Sequence, residues 1–456
     1  MTALFWFRRD RRLGDNLPLS QAVAENVDGV ALFYAVDQVE FAGLQPVRQH
    51  SLLESLRALN EDAGGALAVR TGSVVESVVA AARELSAAAV YATRSHDTNG
   101  VVEQNAVGAA LREAGIELRL VDSNYAVAPG SVVKPDGTAY RVYTPFYKAW
   151  LERGWRQPIG RTEPSSGWLK LAGEPLPEAS GPAPFKIRAG EAFALRTFER
   201  FIERALDEYD ELRNRADLSG TSHLSHALAH GEIHPRTILA RLGDSPAHTV
   251  FRKEIAWREF YADVLFRNQH TLTEYYEPRF AGMRYDQGPL ADERLAAWQQ
   301  GKTGYPMVDA AMRQLLATGW MHNRSRMIVA SFLVKDLHLE WQQGADWFER
   351  HLTDFDPASN AHGWQWTAGC GTDASPYYRV FNPVLQGLKF DPDGEYVRKY
   401  VPELRHIAGA AVHEPWLLLD GMVNGYPHPI VDHSAERDES LRRLEEIKVR
   451  TDYKEG

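Results

Sequence analysis

Two stretches of the first 40 residues decide the fold: Ala3-Leu-Phe-Trp-Phe7 and Gly29-Val-Ala-Leu-Phe-Tyr-Ala-Val36. Each is a short, nearly continuous apolar run, which is typical of a strand buried on both faces of a parallel sheet. Three more runs lie at 66–70, 88–92 and 117–121, and helical patterns separate the runs near 47–64, 73–85 and 99–114. This alternation predicts an α/β domain with a parallel sheet over residues 1–125.

The turns of this first domain bear on its ligands. Asp15-Asn16-Leu17-Pro18 supplies a cap and an early proline for a first helix. The turn after the first strand lacks the G-x-G-x-x-G pattern with which Rossmann-like domains bind dinucleotides. We therefore expect a Rossmann-like domain whose nucleotide cofactor, if the chain has one, binds elsewhere.

A stretch rich in proline and glycine separates this domain from a second one. Residues 154–184 contain six prolines and five glycines, which disfavours long helices and predicts an extended linker, placed at 126–184. Beyond it the sequence shows long helical patterns, at 189–216, 249–269, 290–300, 305–317, 323–340 and 347–353, with a charged tail after Ser434 that predicts a last helix. We therefore predict an all-helical domain over residues 185–456.

Composition limits the class of protein. With 456 residues, 44% apolar and 25% charged, the chain has ordinary globular composition. No apolar run approaches the roughly 18 residues of a membrane span, and the opening run is too short for a signal peptide, so we expect a cytoplasmic protein. The lone Cys370 excludes an internal disulfide and a Cys-cluster metal site. The net charge of −10 argues against nucleic-acid binding through bulk charge, but it allows a local basic patch.

Residues 354–373 have the composition of a functional site. Three carboxylates, two amides and two tryptophans fall within this stretch. Because Trp364 and Trp366 are two residues apart, they cannot share one face of a helix, and we expect different surroundings for them. The alternative is that Asp354 and Asp356 cap a helix while the tryptophans fill core.

Three further clusters are weaker on their own. Thr221-Ser-His-Leu-Ser225 places small hydroxyls before a helical pattern, which suits an anion site or a simple cap. Glu254, Trp257 and Arg258 share one helical face, as they would in a site or in a surface ion pair. Asn323 and Met327 are also one turn apart, and a core edge is the alternative for them.

The order and spacing of such segments is more specific than any one of them. They are Phe5-Trp-Phe-Arg-Arg-Asp-Arg-Arg-Leu-Gly-Asp-Asn-Leu17, Thr221-Ser-His-Leu-Ser225, Trp257-Arg-Glu-Phe260, Gly301-Lys-Thr-Gly-Tyr-Pro306, Asp309-Ala-Ala-Met-Arg-Gln-Leu315, Gly319-Trp-Met-His-Asn-Arg-Ser-Arg-Met327, Gly363-Trp-Gln-Trp366 and Gly371-Thr-Asp373. Over nearly its whole length the chain thus resembles the photolyase/cryptochrome family, and within it the class I cyclobutane pyrimidine dimer photolyases.

The resemblance implies an N-terminal antenna domain and a helical domain that holds FAD, active as FADH−. It assigns the FAD phosphates and ribitol to Tyr209, Thr221, Ser222, Leu224 and Ser225, with Arg258 near them. It assigns the surroundings of the flavin ring to Asn323, Asp354, Asp356 and Asn360, and pairs Arg326 with Asp354. In the family, light drives an electron from FADH− to the dimer, whose ring opens before the electron returns. An amide at Asn360 suits a flavin whose protonation changes.

The implied substrate is DNA that contains a pyrimidine dimer, flipped out of the duplex. The resemblance makes Trp257 and Trp366 the apolar walls of the pocket. It assigns dimer contacts to Glu254, Asn323 and Met327, and we expect burial to raise the pKa of Glu254. Arg324 and Arg379 are implied contacts to the DNA backbone, which position DNA without reading its sequence.

The family also reduces its flavin through a relay of tryptophans. Trp364 matches the member next to the flavin, and Trp341 matches the middle member. The outer tryptophan is expected ten residues before Trp298, but Gly288 stands there. Tyr285 is the nearest aromatic substitute, and the alternative is a relay that ends differently.

Two matters stay open in the sequence. The segment 93–104 departs from the family's antenna pattern, so that folate, deazaflavin and no antenna chromophore are all compatible with it. A cryptochrome-like photosensor without repair activity is the alternative function, although Asn360 stands where plant-type sensors have an acid. A (6-4) photolyase is disfavoured because its histidines would fall near Asn323 and Met327. We expect a monomer that needs no protein partner and binds no membrane.

Overall fold

The computed structural model of the chain describes residues 1–372 and 378–452, with side chains up to residue 448. The chain divides into two compact units, the first of residues 1–207 and 222–269, the second of residues 208–221 and 270–456. Asp373, the last residue of the Gly371-Thr-Asp373 motif, lies outside the described residues.

A parallel sheet forms the centre of the first unit. Its strands are β1 (Thr2–Phe7), β2 (Gly29–Asp37), β3 (Leu67–Gly72), β4 (Ala89–Thr93) and β5 (Glu117–Val121), in the order β3-β2-β1-β4-β5. Ala3 of β1 lies opposite Val30 on one side and Ala89 on the other. Both faces of the sheet pack against apolar side chains, which explains why the central strands β1, β2 and β4 are nearly continuous apolar runs, whereas the edge strand β5 is less buried and alternates polar and apolar residues. The predicted α/β domain is confirmed.

The helices cover most of the remaining chain. In chain order they are α1 (Leu17–Glu25), α2 (Gln38–Gly43), α3 (Pro46–Asp62), α4 (Val74–Glu84), α5 (Thr98–Glu113), α6 (Tyr143–Arg153), α7 (Glu191–Arg204), α8 (Tyr209–Leu212), α9 (Ser225–His230), α10 (Pro235–Leu239), α11 (Pro246–Arg267), α12 (Pro289–Gln300), α13 (Pro306–Thr318), α14 (Asn323–Lys335), α15 (Trp341–His351), α16 (Pro357–Ala368), α17 (Pro383–Phe390), α18 (Glu395–Tyr400) and α19 (His433–Asp452). The predicted helical C-terminal region is confirmed. None of the helices within the described ranges combines the length and the hydropathy that a membrane span requires.

The predicted linker contains more structure than its composition indicated. Helix α6 lies inside it, and its aromatic side chains follow a helical spacing that sequence inspection overlooked: Tyr143, Phe146, Tyr147 and Trp150. The stretch rich in proline runs along the sheet, where the Leu169 amide donates to the Val30 carbonyl at 2.9 Å and the Glu174 amide to Val69 at 2.7 Å. These contacts cover backbone that would otherwise form an open sheet edge.

Two predicted helices are shorter than their patterns. The pattern at 323–340 ends with α14 at Lys335, because His338 has a φ of 54° and a left-handed residue stops the helix. The pattern at 189–216 breaks after Arg204 into a 3₁₀ turn and the short α8. The boundaries proposed at 125 and 184 remain a prediction, since the two compact units follow packing and place residues 222–269 with the sheet.

Candidate functional site

A buried ion pair joins α14 to the segment before α16 in the second unit. Arg326 Nη2 donates to Asp354 Oδ2 at 2.7 Å, and its Nε donates to the Met321 carbonyl at 2.9 Å. The Asp354 side chain is fully buried, whereas Arg326 is one-quarter exposed. The guanidinium therefore compensates a carboxylate that could not otherwise stay charged in the interior.

Asp354 has a second oxygen that this ion pair does not use. Its Oδ1 atom is buried and has no hydrogen-bond partner among the described residues. An unsatisfied buried carboxylate oxygen is costly, typically about 1–3 kcal/mol or more, and such atoms mark places where a ligand or water binds. Asp354 thus fits a bound group that presents a hydrogen-bond donor, as the imide and amine positions of a flavin do.

Helix α16 holds the other polar residues of the stretch. Asp356 is its N-cap, and Oδ1 accepts from the Ser359 amide at 2.9 Å, so the capping alternative holds for this aspartate. Asn360, one turn into the helix, donates from Nδ2 to the Ala345 carbonyl of α15 at 3.1 Å. Because the amide nitrogen is held by α15, the side-chain orientation of Asn360 is set by the protein.

The two tryptophans of α16 lie in different surroundings. Trp364 is buried and packs against Trp298 and Phe348, with ring centroids 6.1 and 5.0 Å away. A Cβ at Gly344 would come within 2.1 Å of the Trp364 ring, so α15 needs glycine there to pack against this indole. Trp366 is only half-buried and opens onto a groove.

The groove beside Trp366 is basic. It has a volume of about 370 Å³ and is lined, among others, by Trp366, Arg279, Lys335, Arg379 and Lys448. Arg379 is exposed, and its carbonyl accepts a hydrogen bond of 2.6 Å from the buried Lys335 ammonium. The exposed positive charge of this groove comes from Arg279 and Arg379, since Lys335 is buried and Lys448 pairs with Glu445, which also lines the groove.

The start of α14 combines the predicted dimer and DNA contacts. Asn323 is its first residue and is exposed, while Met327 is half-buried. Arg324 donates to Asn214 Oδ1 from Nε at 3.2 Å and from Nη2 at 2.7 Å, and its guanidinium lies over the Phe390 ring. The structure thus gives Arg324 a structural contact that the sequence did not indicate.

In the second unit Trp341, Tyr275 and Tyr285 form an aromatic series in which each ring contacts the next. Trp341 is buried, and the Tyr275 ring approaches it edge-on with a centroid distance of 6.2 Å. Tyr285 stacks on Tyr275 at 6.4 Å. The sequence analysis named Tyr285 and missed Tyr275, which is the ring in contact with Trp341. Gly288, where the outer tryptophan was expected, has a φ of 86° and precedes the proline of α12, a conformation that disfavours an indole.

Helix α11 holds the aromatic part of the site in the first unit. The Trp257 ring stacks on Tyr143 of α6 with a centroid distance of 3.7 Å and an angle of 8° between the planes. Tyr143 Oη donates to the Lys253 carbonyl at 2.7 Å. One face of Trp257 is therefore occupied by protein. Glu254 is half-buried on the same helix.

Arg258 and Glu259 connect α11 to residues 124–127. The Arg258 guanidinium lies 4.5 Å from the centre of the Tyr125 ring and donates to the carbonyls of Asn124 and Leu228. Glu259, which the sequence analysis did not single out, accepts from the Ala126 and Val127 amides and from the Trp150 indole. Burial raises the pKa of Glu259. Glu259 is a structural carboxylate.

The predicted phosphate residues fall in both units, and each is described within its own. Tyr209 is a buried residue at the start of α8 and lies under the Arg213 guanidinium, and Thr221 is half-buried. In the first unit Ser222 Oγ accepts from the Leu224 amide at 3.3 Å. Buried Leu224 is the N-cap of α9, and Ser225 is its first residue. With six residues, α9 has only a small dipole, so anion binding there would depend on local N–H groups.

Comparison with known proteins accounts for nearly the whole chain. A model of DNA photolyase matches residues 3–165, and a model of the FAD binding domain of DNA photolyase matches residues 251–446. A deoxyribodipyrimidine photo-lyase of Escherichia coli is 37% identical over 97% of this chain and 98% of its own.

Solved structures give the same result. A class III photolyase from Agrobacterium tumefaciens is 36% identical, with a TM-score of 0.87 over 98% of both chains. A Synechocystis cryptochrome is 28% identical, with a TM-score of 0.85 over 97% of this chain and 98% of its own. The family predicted from the motifs is confirmed, while the assignment to class I stays a prediction because a class III enzyme is among the matches. The chain belongs to the DNA photolyase family.

Proposed function

We propose that this chain is a light-driven DNA repair enzyme that splits cyclobutane pyrimidine dimers. The observation that supports it best is the full-length similarity to proteins named deoxyribodipyrimidine photo-lyase, at 37% identity over 97% of the chain for the Escherichia coli enzyme. The chain is a photo-lyase, a lyase of carbon–carbon bonds. The same similarity favours repair over the cryptochrome-like photosensor, whose solved representative is 28% identical.

The cofactor is FAD, in agreement with the FAD-binding model over residues 251–446. When bound and reduced to FADH−, the flavin supplies the electron that opens the cyclobutane ring. We assign the surroundings of the ring to Asn323, Arg326, Asp354, Asp356 and Asn360. Asp354 would accept a flavin N–H with its unpartnered Oδ1, while its Oδ2 accepts from Arg326. Asn360 Nδ2 donates to the Ala345 carbonyl. Its Oδ1 is therefore the atom that remains to accept a hydrogen bond from a protonated flavin nitrogen.

The remaining cofactor contacts follow from the motif positions. We assign the phosphates and ribitol to Tyr209, Thr221, Ser222, Leu224, Ser225 and Arg258. Small hydroxyls and backbone amides suit phosphate oxygens, and a guanidinium adds the positive charge.

We assign dimer recognition to Glu254, Trp257, Asn323, Met327 and Trp366. Since Tyr143 covers one face of Trp257, the dimer would use the other face or the edge of this indole. An indole wall replaces part of the stacking that the bases lose when they leave the duplex. The basic groove beside Trp366, with Arg379 at its rim, and Arg324 would contact the DNA backbone.

Electrons reach the flavin through Trp364 and Trp341 in this proposal, with Tyr285 towards the outer end. Both tryptophans are buried, and both indole nitrogens lack a partner among the described residues. An indole without a hydrogen-bond acceptor retains its proton when it loses an electron, so the hole can pass outwards to the next donor.

We further infer a monomer that works in the cytoplasm, where a single cysteine is typical. Residues 1–125 would form the antenna domain and residues 185–456 the catalytic domain. Extraction of the chromophores from the holoprotein, followed by absorbance and mass spectrometry, distinguishes folate, deazaflavin and no antenna.

One assay tests the proposal directly. The holoprotein is reduced chemically, mixed with oligothymidylate that contains dimers, and illuminated with blue light. Repair predicts that thymine absorbance returns in the light and stays constant in the dark. If it does not return, or returns equally in the dark, the chain is not a repair enzyme and the photosensor function takes its place.

A pair of variants separates the dimer pocket from the flavin site. Trp257→Ala should weaken binding of the dimer-containing oligonucleotide while the flavin content stays at the wild-type level, and Trp257→Phe should retain most of the affinity. Loss of flavin from Trp257→Ala would contradict the role assigned to this indole.

A further inference from the structure

The outer end of the aromatic series in the second unit differs from a chain of tryptophans. Tyr275 is buried and its ring edge faces the Trp341 ring, with centroids 6.2 Å apart and planes at 84°. Tyr285 stacks on Tyr275, with ring centroids 6.4 Å apart and the planes nearly parallel. The order of ring contacts is therefore Trp341, Tyr275 and Tyr285.

A hydrogen bond connects the first of these tyrosines to a carboxylate. Tyr275 Oη donates to Glu340 Oε1 at 3.2 Å. Glu340 is half-buried and directly precedes Trp341 at the start of α15. Glu340 accepts the hydrogen bond from the Tyr275 phenol, and Trp341 contacts the Tyr275 ring. These two residues are thus neighbours in the chain.

This arrangement matters because tyrosine and tryptophan lose electrons differently. Burial, with Glu340 nearby, raises the pKa of Tyr275 above its ordinary value, so the phenol carries its proton at neutral pH. A phenol that loses an electron becomes a very strong acid, and its oxidation is favourable only when a base accepts the proton at the same time. A tyrosine without such a base would stop electron transfer along the relay.

We propose that Tyr275 is the electron donor that follows Trp341, and that the Glu340 carboxylate accepts its phenolic proton. The proposal rests on the relay given under the proposed function and replaces Tyr285 as the residue next to Trp341. Tyr285 is then a positioning residue, since its ring stacks on the Tyr275 ring.

The step balances as follows. Trp364 loses one electron to the photoexcited oxidised flavin, Trp341 would pass one electron to Trp364, and Tyr275 would pass one electron to Trp341. The O–H bond of Tyr275 breaks and the proton goes to Glu340 Oε1, which leaves a neutral tyrosyl radical beside a protonated glutamic acid. A thiol in solution then reduces the radical by one electron, and Glu340 gives the proton back.

The test follows the radical itself. Oxidised holoprotein is illuminated without added thiol and frozen for electron paramagnetic resonance, and transient absorption records the same reaction. Wild type should give a tyrosyl signal. Tyr275→Phe, which keeps the ring and the packing, should lose it and show a longer-lived tryptophan radical. Tyr305→Phe is the matched control, because Tyr305 is buried in the same unit with a hydrogen bond to the Val431 carbonyl; its tyrosyl signal should remain.

Glu340 is tested separately. Glu340→Gln keeps the size of the side chain and removes the base, so the tyrosyl signal should fall and its rise should slow, while Glu340→Asp should restore part of it. Circular dichroism and flavin content show whether each variant is folded. A wild-type tyrosyl signal in Tyr275→Phe, or its loss only in Tyr285→Phe, would overturn the proposal, as would an unchanged rise in Glu340→Gln.

Failure of this inference is distinguishable from failure of the proposed function. Chemically reduced wild type needs no relay, so its repair of dimers tests the function alone. Repair by reduced protein without a tyrosyl radical overturns only the assignment of Tyr275. A tyrosyl radical in a protein that repairs no dimer supports the relay and overturns the repair function.

Discussion

Tyr143 and Trp257 lie face to face, with ring centroids 3.7 Å apart and planes inclined by 8°. The two residues belong to α6 and α11, and the Tyr143 hydroxyl also holds the Lys253 carbonyl of α11. The plane of an indole proposed to face the lesion is therefore set by a residue in a segment that was assigned to the linker at 126–184.

Tyr143→Leu should weaken binding of dimer-containing DNA. An aromatic pair contributes about 0.5–1.5 kcal/mol beyond its buried area, which corresponds to a loss of roughly 2–10-fold in affinity. Tyr143→Phe keeps the stack and should bind like wild type. Fluorescence anisotropy with a labelled oligonucleotide measures both, with flavin content as the control; equal affinities for Tyr143→Leu and wild type would show that the stack does not position Trp257.

Arg326→Met should destabilise the protein more than Asp354→Asn does. Removing the guanidinium leaves the buried Asp354 carboxylate uncompensated, a loss of about 3–5 kcal/mol, whereas Asp354→Asn keeps the shape and removes the charge. The double variant should recover much of the loss. Thermal unfolding of the holoproteins, followed by circular dichroism, ranks the variants by stability. If the single Arg326→Met variant is as stable as wild type, the ion pair does not stabilise the fold.

Arg379→Ala should weaken DNA binding without changing lesion selectivity. A backbone contact affects damaged and undamaged DNA alike, and the slope of log affinity against log salt should fall by about 1. Arg405 is an exposed arginine of the same unit, and Arg405→Ala serves as the control. If only damaged DNA binds more weakly to Arg379→Ala, this arginine contacts the lesion.

Lys335 should make stability depend on pH. Burial lowers its pKa to about 7 from 10.5, so between these values the unfolded chain binds more protons than the folded one, and stability rises with pH. Below about 7 both states are protonated and the fold bears the full cost of the buried charge. Lys335→Met should therefore be more stable than wild type at neutral and lower pH, by up to a few kcal/mol.

The difference in stability between Lys335→Met and wild type should shrink as the pH approaches 10.5, the ordinary pKa of lysine. Urea unfolding of both proteins across this range measures it. A constant difference would mean that the hydrogen bond to the Arg379 carbonyl and the contact with the Tyr378 ring, rather than the charge, decide the contribution of Lys335.

The sequence by itself determined the features that depend on neighbouring residues or on motif order. Apolar runs predicted the central strands β1, β2 and β4, because a strand buried on both faces needs apolar residues along its length. Asn16 marks the start of α1 because its side chain accepts from the Leu19 amide three residues on. The order of motifs from Phe5 to Trp366 was specific enough to identify the family and its flavin.

Only the tertiary structure decided which distant side chains meet. Nothing near Tyr275 in the sequence indicates that it contacts Trp341, nor does the sequence around Arg324 indicate its contact with Asn214. The helix α6 was missed because the predicted linker was extended over 126–184, although the six prolines and five glycines lie only between 154 and 184. The physical reason is the same in each case: a cap or a strand is stabilised by contacts a few residues away, whereas these contacts depend on how whole helices pack, which local sequence does not specify.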